Sequence, residues 1–181
     1  MKEIALHIMD IAENGIAAGA DIIRISLVRG REPEVLKITV EDNGKGMAKD
    51  ELRQVSDPFY TSRNTRRVGL GIPLLRQHAE MAGGEFDIRS KQGEGTRVKA
   101  SFLYDHPDRQ PLGDLEGCWI LLATANPGLE WELKLESQEG RFEITTSEIK
   151  SVMELELISG SELCGQLKRM IRNNIDELSL G

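Results

Sequence analysis

A carboxylate followed by two glycines is the first feature of this sequence with chemical potential. The segment EDNGKGM at residues 41–47 follows an alternating, β-branched run at residues 35–40. A carboxylate such as Asp42 can accept a hydrogen bond from an exocyclic amine. Glycines at this point let the backbone approach a flat ring or a phosphate without a Cβ clash. A strand that ends in an ordinary Asp-Asn-Gly turn would show the same residues, so this segment alone leaves both interpretations open.

A glycine-rich entry to a helix is the second such feature. The segment RVGLG at residues 67–71 precedes apolar residues at helical spacing. The N-terminus of a helix offers free N–H groups and a positive dipole end to an anion. Arg63, Arg66 and Arg67 crowd before it in a chain of formal net charge −7, which favours a local phosphate site. A solvated charged loop is the alternative interpretation.

The third feature is a polar stripe on the first predicted helix. Apolar residues at positions 4, 8 and 11 recur at helical spacing and predict an amphipathic helix that Gly19 ends. Because successive residues turn by about 100°, a second stripe borders the apolar one. It consists of Glu3, His7, Asp10 and Asn14. This stripe is a candidate wall of a binding site.

The elements that must position these groups follow from periodicity and turn residues. Strands are predicted at residues 21–28, 35–40, 85–90, 96–103, 118–124, 131–135 and 141–145. Helices are predicted at residues 3–18, 48–55 and 70–82, with two more beginning at Thr146 or Ser147 and at Ser161. The last helix has an apolar stripe formed by Leu163, Leu167, Met170 or Ile171, and Leu178. The segment DHPDRQPLG at residues 105–113 shifts the composition and marks a boundary or linker.

The bulk composition excludes several classes of protein. The acidic net charge argues against nucleic acid or an anionic membrane as the main partner. The sequence has no apolar run that predicts a signal peptide or a membrane span, so a cytoplasmic protein is expected. Cys118 and Cys164 are in no metal-ligand spacing and are expected to be small buried hydrophobes. The three histidines, His7, His78 and His106, are expected at the surface or at element boundaries.

Taken in order along the chain, these motifs resemble those of the GHKL superfamily, whose members carry a histidine kinase-like ATPase domain. Residues 10–14 resemble the N box, residues 41–47 the DxGxG box, and residues 57–61, DPFYT, the F box. Residues 69–71 resemble the second glycine box and residues 93–96, GEGT, the closing GxGT. The resemblance covers about residues 1–104. From Ser56 onward the sequence is similar to histidine kinases, while AGAD at residues 18–21 is similar to mismatch-repair ATPases.

The resemblance implies a fold and a division of the chain. The fold is of the α+β class, a two-layer α/β sandwich of the Bergerat type with a small C-terminal α+β extension. The implied parts are an ATP-binding domain at residues 1–104, a linker at residues 105–115, and an extension of unknown role at residues 116–181. Only 13 residues precede Asn14 in the sequence. A standalone domain without a phosphoacceptor histidine, and not an autophosphorylating kinase, is therefore expected.

The same resemblance implies roles for individual residues. Asn14 would bind Mg²⁺ through its carboxamide oxygen, and Asp42 would accept the adenine amino group, with Thr96 supporting the same ring. The second glycine box would wrap the phosphates, and residues 61–68 would form a mobile lid. The implied ATP-binding residues are Asn14, Asp42, Gly44, Gly46, Met47, Phe59, Thr61, Arg63, Arg67, Gly69, Leu70, Gly71 and Thr96.

Asp10 departs from the family pattern in a way that bears on chemistry. In the hydrolysing members a carboxylate at this place orients or deprotonates the attacking water, but there it is the longer Glu. One methylene fewer retracts the carboxylate by on the order of 1 Å, enough to weaken general-base geometry. Asp10 is therefore either a candidate general base or a residue that holds the water shell of Mg²⁺. Ala17 and Ala18 stand where the family has a basic residue, which leaves phosphate charge to the lid arginines.

Three functions of different class follow. The first is a regulatory protein that binds Mg-ATP and whose nucleotide-ordered lid controls a protein partner. The second is an enzyme, either a slow ATPase or a Ser/Thr protein kinase of the anti-sigma-factor type. The third is a related fold that has lost nucleotide, which the retained Asn14, Asp42 and Thr96 disfavour. Residues after Leu112 resemble tails of standalone proteins found beside redox enzyme subunits, so the expected partner is a redox enzyme subunit or a regulator, with no nucleic acid and no membrane.

Overall fold

A six-stranded mixed sheet forms one layer of the protein and helices form the other. The computed structural model describes residues 2–56, 71–152 and 161–181. Within them the elements are α1 (Ile4–Ala17), β1 (Ile22–Arg29), β2 (Val35–Asp42), α2 (Lys49–Ser56), α3 (Gly71–Met81), β3 (Phe86–Lys91), β4 (Gly95–Leu103), α4 (Leu115–Ala125), β5 (Glu130–Glu136), β6 (Arg141–Thr145), α5 (Thr146–Val152) and α6 (Ser161–Glu177). The strand order is β3-β4-β2-β1-β5-β6. The predicted α+β, two-layer sandwich is confirmed.

Alternating side chains explain why the sheet has one covered face. In β1 the residues Ile23, Ile25 and Leu27 are buried, while Arg24 between them is exposed. β2 continues the pattern, with its apolar residues on the same face as those of β1. Successive strand residues point to opposite faces, so the apolar set packs against the helices. The polar set forms the other face of the sheet.

The N-terminal elements occur where local patterns predict them. The first helix, the β1–β2 hairpin, the short α2 and the strands β3 and β4 all match their predicted segments within a few residues. β1 and β2 pair antiparallel from Ile23↔Asp42 to Arg29↔Leu36. α3 begins at Gly71, next to the glycine box predicted to open it. These predictions are confirmed because each depends on local periodicity and turn residues.

The prediction of a strand at residues 118–124 is wrong. This segment is part of α4, whose N-cap Asp114 accepts a hydrogen bond from the Gly117 N–H. Its apolar residues cover most of the helix circumference, and periodicity cannot distinguish such a run from a buried strand. Trp119 and Leu122 are buried on α4, and the helix packs against both α1 and α6. Tertiary packing and the cap therefore decide its structure.

The C-terminal elements extend the same sheet and helix layer. β5 pairs parallel with β1, and β6 pairs antiparallel with β5. Leu115, Trp119 and Leu133 belong to the same buried cluster as the apolar face of α1. The division into residues 1–104, 105–115 and 116–181 stays a prediction. The one sheet combines four strands from residues 1–104 with two strands from residues 116–181.

Burial in the structure shows which residues form the apolar stripe of α6. Its buried residues include Leu163, Leu167, Ile171 and Ile175, and Leu178 directly after the helix is also buried. The alternative stripe position, residue 170, is 37% exposed, so Ile171 is the member of the stripe. Among the described helices, none combines the length and apolar character that a membrane crossing requires.

Candidate functional site

A row of three polar side chains crosses the sheet on its helix-facing side. Asp42 on β2 pairs with Thr96 on β4, and Thr96 pairs with Ser90 on β3. Asp42 is two residues after Val40, and Thr96 is two residues before Val98. Both valines are buried under the helices. The row therefore lies at the end of the covered face, where the apolar core gives way to polar groups. A planar, partly polar ligand could lie against such a row.

Ser90 is a member of this row that sequence reasoning missed. Its hydroxyl oxygen lies 2.9 Å from the Gly95 carbonyl oxygen and 2.9 Å from Thr96 Oγ1, and the Met47 N–H donates to it over 2.8 Å. A hydroxyl has one proton. If Ser90 donates to Gly95, Thr96 must donate to Ser90, which leaves Thr96 Oγ1 as an acceptor. The register of the β3–β4 hairpin around Gly93 was the signal that could have found Ser90.

Asp42 is half-buried and partly satisfied. Its Oδ1 accepts a hydrogen bond from the Gly44 N–H over 2.9 Å. Burial raises the pKa of the Asp42 carboxyl, while hydrogen bonds from the backbones of Gly44 and Thr96 act in the opposite direction. A half-buried carboxylate with one oxygen already bonded can still accept from a ligand amine. Such a donor would offset the cost that burial places on the charge.

The two glycines of the loop after β2 are required by close backbone packing. A Cβ on Gly44 would lie 2.8 Å from the Ala18 Cβ at the end of α1. Gly46 has a φ of +61°, and its Cβ would lie 2.0 Å from the Lys91 carbonyl oxygen. The loop also bonds to both neighbours, because Lys45 N–H donates to Ala18 O and Lys45 O accepts from Gly93 N–H. The glycines thus clamp the loop between α1 and the β3–β4 turn.

Asn43 is a second residue that sequence reasoning did not single out. Its Oδ1 accepts from the backbone N–H groups of Asp21 and Ile22 over 2.8 and 2.9 Å. These two donors lie at the start of β1, where the chain enters the sheet. Asn43 therefore holds the loop to β1 and leaves the neighbouring Asp42 turned toward the helices. Asn43 thus has the role of a turn residue. By holding the turn, it also positions the neighbouring Asp42.

The polar stripe of α1 faces this row and the start of α3. A Cβ on Gly15 would lie 2.9 Å from the Asp42 Cβ, so α1 crosses directly over Asp42. One turn earlier, a Cβ on Gly71 would lie 2.6 Å from Asp10 Oδ2, so the Asp10 carboxylate lies against the first residue of α3. Asn14, between these two contacts, is partly exposed. The structure therefore brings Asn14, Asp42 and the start of α3 to one place.

The donor set at Asn14 fits a magnesium ion that is bound mainly by phosphates and water. Among the described residues, no group of three His, Cys, Asp or Glu could hold a metal. Mg²⁺ in phosphate-binding proteins commonly uses one or two protein oxygens and keeps several waters. Within the described ranges, no side chain or backbone group bonds the Asn14 carboxamide. Its oxygen, one turn from the Asp10 carboxylate, is therefore available as a single ligand.

His7 is buried, and the expectation of a surface or boundary histidine is wrong for it. The residue is 0% exposed, and its Nε2 lies 3.0 Å from Gln110 Oε1. The His78 ring on α3 lies edge-on to it, with a centroid distance of 5.3 Å. Burial lowers the pKa of His7, with a smaller lowering from His78 and an opposing effect of the Gln110 bond. Gln110 is distant in sequence, so local patterns cannot show this environment.

Several predicted site residues lie outside the described residues. They are Phe59, Thr61, Arg63, Arg67, Gly69 and Leu70. The lid at residues 61–68 lies outside them as well. Gly71 is the described end of the second glycine box, and it is buried at the start of α3.

Comparisons with known proteins show which sequences this chain resembles. The family model described as "Histidine kinase-, DNA gyrase B-, and HSP90-like ATPase" matches residues 2–106. An uncharacterized sensor-like histidine kinase of Rhizobium meliloti is 46% identical over 79 residues, covering 41% of this chain and 15% of that protein. The sensor histidine kinase YxdK of Bacillus subtilis is 33% identical over 91 residues, covering 48% of this chain and 27% of that protein.

The fold is also similar to a solved structure. The Aquifex aeolicus MutL ATPase domain, complexed with ADP, superposes with a TM-score of 0.53 at 15% identity, covering 86% of this chain and 70% of that one. At this identity the likeness concerns the fold alone. The match reaches beyond residue 106, so the fold similarity includes part of the C-terminal elements.

Proposed function

Because the chain belongs to the histidine kinase-, DNA gyrase B- and HSP90-like ATPase family, we propose that it binds Mg-ATP between α1, the end of β2 and the start of α3. In this proposal the protein is regulatory. Residues 61–68 act as a lid that orders around the nucleotide and controls a protein partner. The partner is a redox enzyme subunit or a regulator, because the residues after Leu112 resemble tails of proteins found beside redox enzyme subunits.

The crossing of α1 over β2 is the observation that carries the proposal. It sets Gly15 against Asp42, and the side chain of the adjacent Asn14 has no hydrogen bond among the described residues. In the proposal, Asp42 accepts the adenine amino group and Thr96 Oγ1 supports the same ring. Asn14 supplies an oxygen to Mg²⁺. One end of the site thus recognises the base and the other recognises the metal and the phosphates.

The lid is argued from its sequence. The segment TSRNTRRV at residues 61–68 has three arginines and no apolar side chain before Val68. Without burial, little opposes the entropy cost of ordering such a segment. Charge-assisted bonds from arginine to a triphosphate would supply the missing free energy. Nucleotide would then shift the segment between two populations, and a partner that prefers one of them would respond.

Hydrogen exchange tests the proposal. We expect Mg-ATP to increase amide protection across residues 61–71, with no such increase in Asn14→Ala, which lacks the metal ligand. Glu13→Ala is the matched control, because Glu13 is the exposed neighbour on the same helix and its loss should leave the protection unchanged. If wild-type protein binds Mg-ATP but protection across 61–71 is equal in both states, the lid part of the proposal is wrong. If no nucleotide binds, the whole proposal is wrong.

A slow ATPase or a Ser/Thr protein kinase is the second candidate function. It is favoured by the contact between the Asp10 carboxylate and Gly71, because a carboxylate at the N-terminus of the phosphate-binding helix can orient an attacking water or hydroxyl. Phosphate release and transfer of the γ-phosphate to an added protein should be measured for wild type and Asp10→Asn. Turnover lost in Asp10→Asn with ATP affinity retained supports the enzyme. Absence of both activities supports the regulatory protein.

A further inference from the structure

His7 lies where three parts of the molecule meet. It is on the polar stripe of α1, one turn before Asp10, whose carboxylate lies against Gly71 at the start of α3. Its ring contacts His78, which is on the same α3, and its Nε2 bonds to Gln110. Gln110 precedes a segment that is itself tied to α1, because the carbonyls of Pro111 and Leu112 accept from the Ile4 and Ala5 N–H groups. The ring therefore links α1, α3 and residues 110–112.

The hydrogen bond to Gln110 determines which nitrogen of the His7 ring carries the proton. Gln110 Oε1 is an acceptor, so Nε2 carries the proton and donates to it. The other nitrogen, Nδ1, is buried and forms no hydrogen bond among the described residues. The backbone of Gly71 lies close enough to favour a charged ring. A second proton, on Nδ1, would therefore be donated in a hydrogen bond to the backbone of Gly71 in the first turn of α3.

We propose that His7 is a positioning residue for the nucleotide site, whose neutral ring keeps the first turn of α3 in place against Asp10. The inference rests on the proposed function, since it concerns the same site. When the ring takes up a second proton, Nδ1 becomes a donor that can bond to the backbone of Gly71. The positive charge is also unfavourable at this buried position beside His78. The first turn of α3, which faces the phosphates in the proposal, then shifts. Nucleotide affinity therefore falls in acid, and bound nucleotide in turn opposes protonation of His7.

Burial has the largest effect on the pKa of His7 and lowers it, while the Gln110 bond and the backbone of Gly71 act in the opposite direction. The His78 ring on α3 also disfavours the charged form of His7. On α1, the carboxylate of Asp10 lies against Gly71, and at its N-cap the carboxylate of Glu3 lies against Gly113. On α4, which also packs on α1, Glu116 is paired with Arg172. The pKa of His7 is therefore lowered, and the neutral ring is the main form at neutral pH.

The test is a pH profile of nucleotide affinity. The dissociation constant of a fluorescent ATP analogue with Mg²⁺ is measured from about pH 8 down to about pH 5 for wild type and His7→Gln. Glutamine keeps a donor for Gln110 Oε1 and does not titrate. We expect the wild type to lose about fivefold or more in affinity beyond the change seen in His7→Gln. Dividing one profile by the other removes the titration of the ATP phosphates.

Two more variants complete the design. In Gln110→Glu a carboxylate faces the ring and holds its second proton, so the acid loss of affinity should move to higher pH. His106→Gln is the matched control: it removes a histidine whose Nδ1 accepts from the Asp108 N–H, outside the α1–α3 contact, and should keep the wild-type profile. NMR titration of His7 should show a lowered pKa in the free protein and a lower one with nucleotide bound.

Each result decides something different. Equal profiles for wild type and His7→Gln, or a His7 pKa that nucleotide does not change, would overturn the role of His7 while the proposed function stands. Affinity that rises in acid would do the same. If His7→Gln does not fold, Gln110→Glu and the NMR titration of wild type still decide. Failure to bind nucleotide at every pH would instead refute the proposed function.

Discussion

At the scale of the residue, the candidate site depends on polar groups that the protein itself leaves partly unsatisfied. Asp42 Oδ1 accepts from the Gly44 N–H, and Thr96 Oγ1 is left as an acceptor once Ser90 has donated to Gly95. The Asn14 carboxamide has no hydrogen bond among the described residues. Half-buried polar groups cost free energy unless a partner is found. A ligand that supplies an amine to Asp42 and a metal to Asn14 would remove that cost.

The first prediction concerns the metal ligand. Asn14→Ala should weaken Mg-ATP binding by about tenfold or more, roughly 1.4 kcal/mol, because the carboxamide oxygen is lost. The free energy of unfolding should change little, since Ala is the better helix former by a few tenths of a kcal/mol and the side chain is partly exposed. Titration with a fluorescent ATP analogue and urea denaturation measure the two quantities. Unchanged affinity in the folded variant would remove Asn14 from the site.

The second prediction separates binding from stability at Asp42. Asp42→Asn should weaken ATP by about tenfold or more, because a hydrogen bond to a charged acceptor contributes about 1.5–3 kcal/mol. Since burial raises the pKa of Asp42, the folded protein holds this proton more tightly than the unfolded chain. Ionisation therefore costs stability as pH rises from the ordinary value of Asp through the raised folded value. Asp42→Asn should be as stable as wild type, or more stable, at neutral pH.

The matched control for this prediction lies on the adjacent position of the strand. Glu41 points to the opposite face of the sheet, where it pairs with Arg97 over 2.7 Å. Glu41→Gln should keep ATP affinity. Denaturation at pH 7 and near pH 4 should show the stability difference of Asp42→Asn shrinking in acid. Equal binding of ATP and GTP by the wild type would contradict the role of Asp42 in recognising adenine.

At the scale of the element, two pieces of backbone build the site. α1 carries a polar stripe whose members contact different neighbours: Glu3 lies against Gly113, His7 bonds Gln110, and Asp10 lies against Gly71. The loop after β2 is clamped by backbone bonds on both sides. The helix and the loop are therefore held in place by contacts with several neighbouring segments. Rigid support of this kind is what a binding site requires of its surroundings.

The third prediction tests the clamp. Gly46 and Gly93 both have positive φ, at +61° and +82°, but only at Gly46 would a Cβ meet backbone, the Lys91 carbonyl oxygen at 2.0 Å. Gly93→Ala should cost about 1–2 kcal/mol, the strain of the left-handed backbone alone. Gly46→Ala should cost about 2–5 kcal/mol, since steric overlap is added. Urea denaturation compares the two variants, and equal losses would contradict the close packing of the loop.

At the scale of the whole molecule, charged contacts add to the β1–β5 pairing and the shared apolar core that join the C-terminal elements to the N-terminal ones. Arg172 on α6 donates to Glu116 on α4 over 2.8 Å and to the Gly113 carbonyl over 3.4 Å. Glu116 is 3% exposed, so its charge depends on this partner. Gly113 in turn lies against Glu3 of α1. α6 is thereby connected to the helix that forms the wall of the site.

The fourth prediction concerns this connection. Arg172→Met should destabilise the protein by about 2 kcal/mol, less than the 3–5 kcal/mol of a fully buried pair, because Arg172 is itself half-exposed. Lys168→Met is the matched control on the same helix, since Lys168 pairs with Asp114 at an exposed site and should cost at most about 1 kcal/mol. Thermal or urea denaturation measures both. Equal costs would show that burial of Glu116 does not matter.

The amino-acid sequence by itself determined the features that depend on near neighbours. The polar and apolar stripes of α1, the β1–β2 hairpin, the position of Asp42 at a strand end and the order of the motifs follow from periodicity and turn residues. From these features the α+β sandwich and the family could be predicted. The residue roles implied by the family stay predictions, because they concern a ligand.

Only the tertiary structure decided the features that depend on distant partners. Residues 115–125 form a helix because Asp114 caps them and α1 and α6 bury them, although the apolar run alone suits a strand equally well. Ser90 enters the site through its register with Thr96, and His7 is buried because Gln110, 103 residues away in the sequence, lies beside it. Each outcome is set by a contact between segments that are far apart in the chain. Local periodicity carries no information about such contacts.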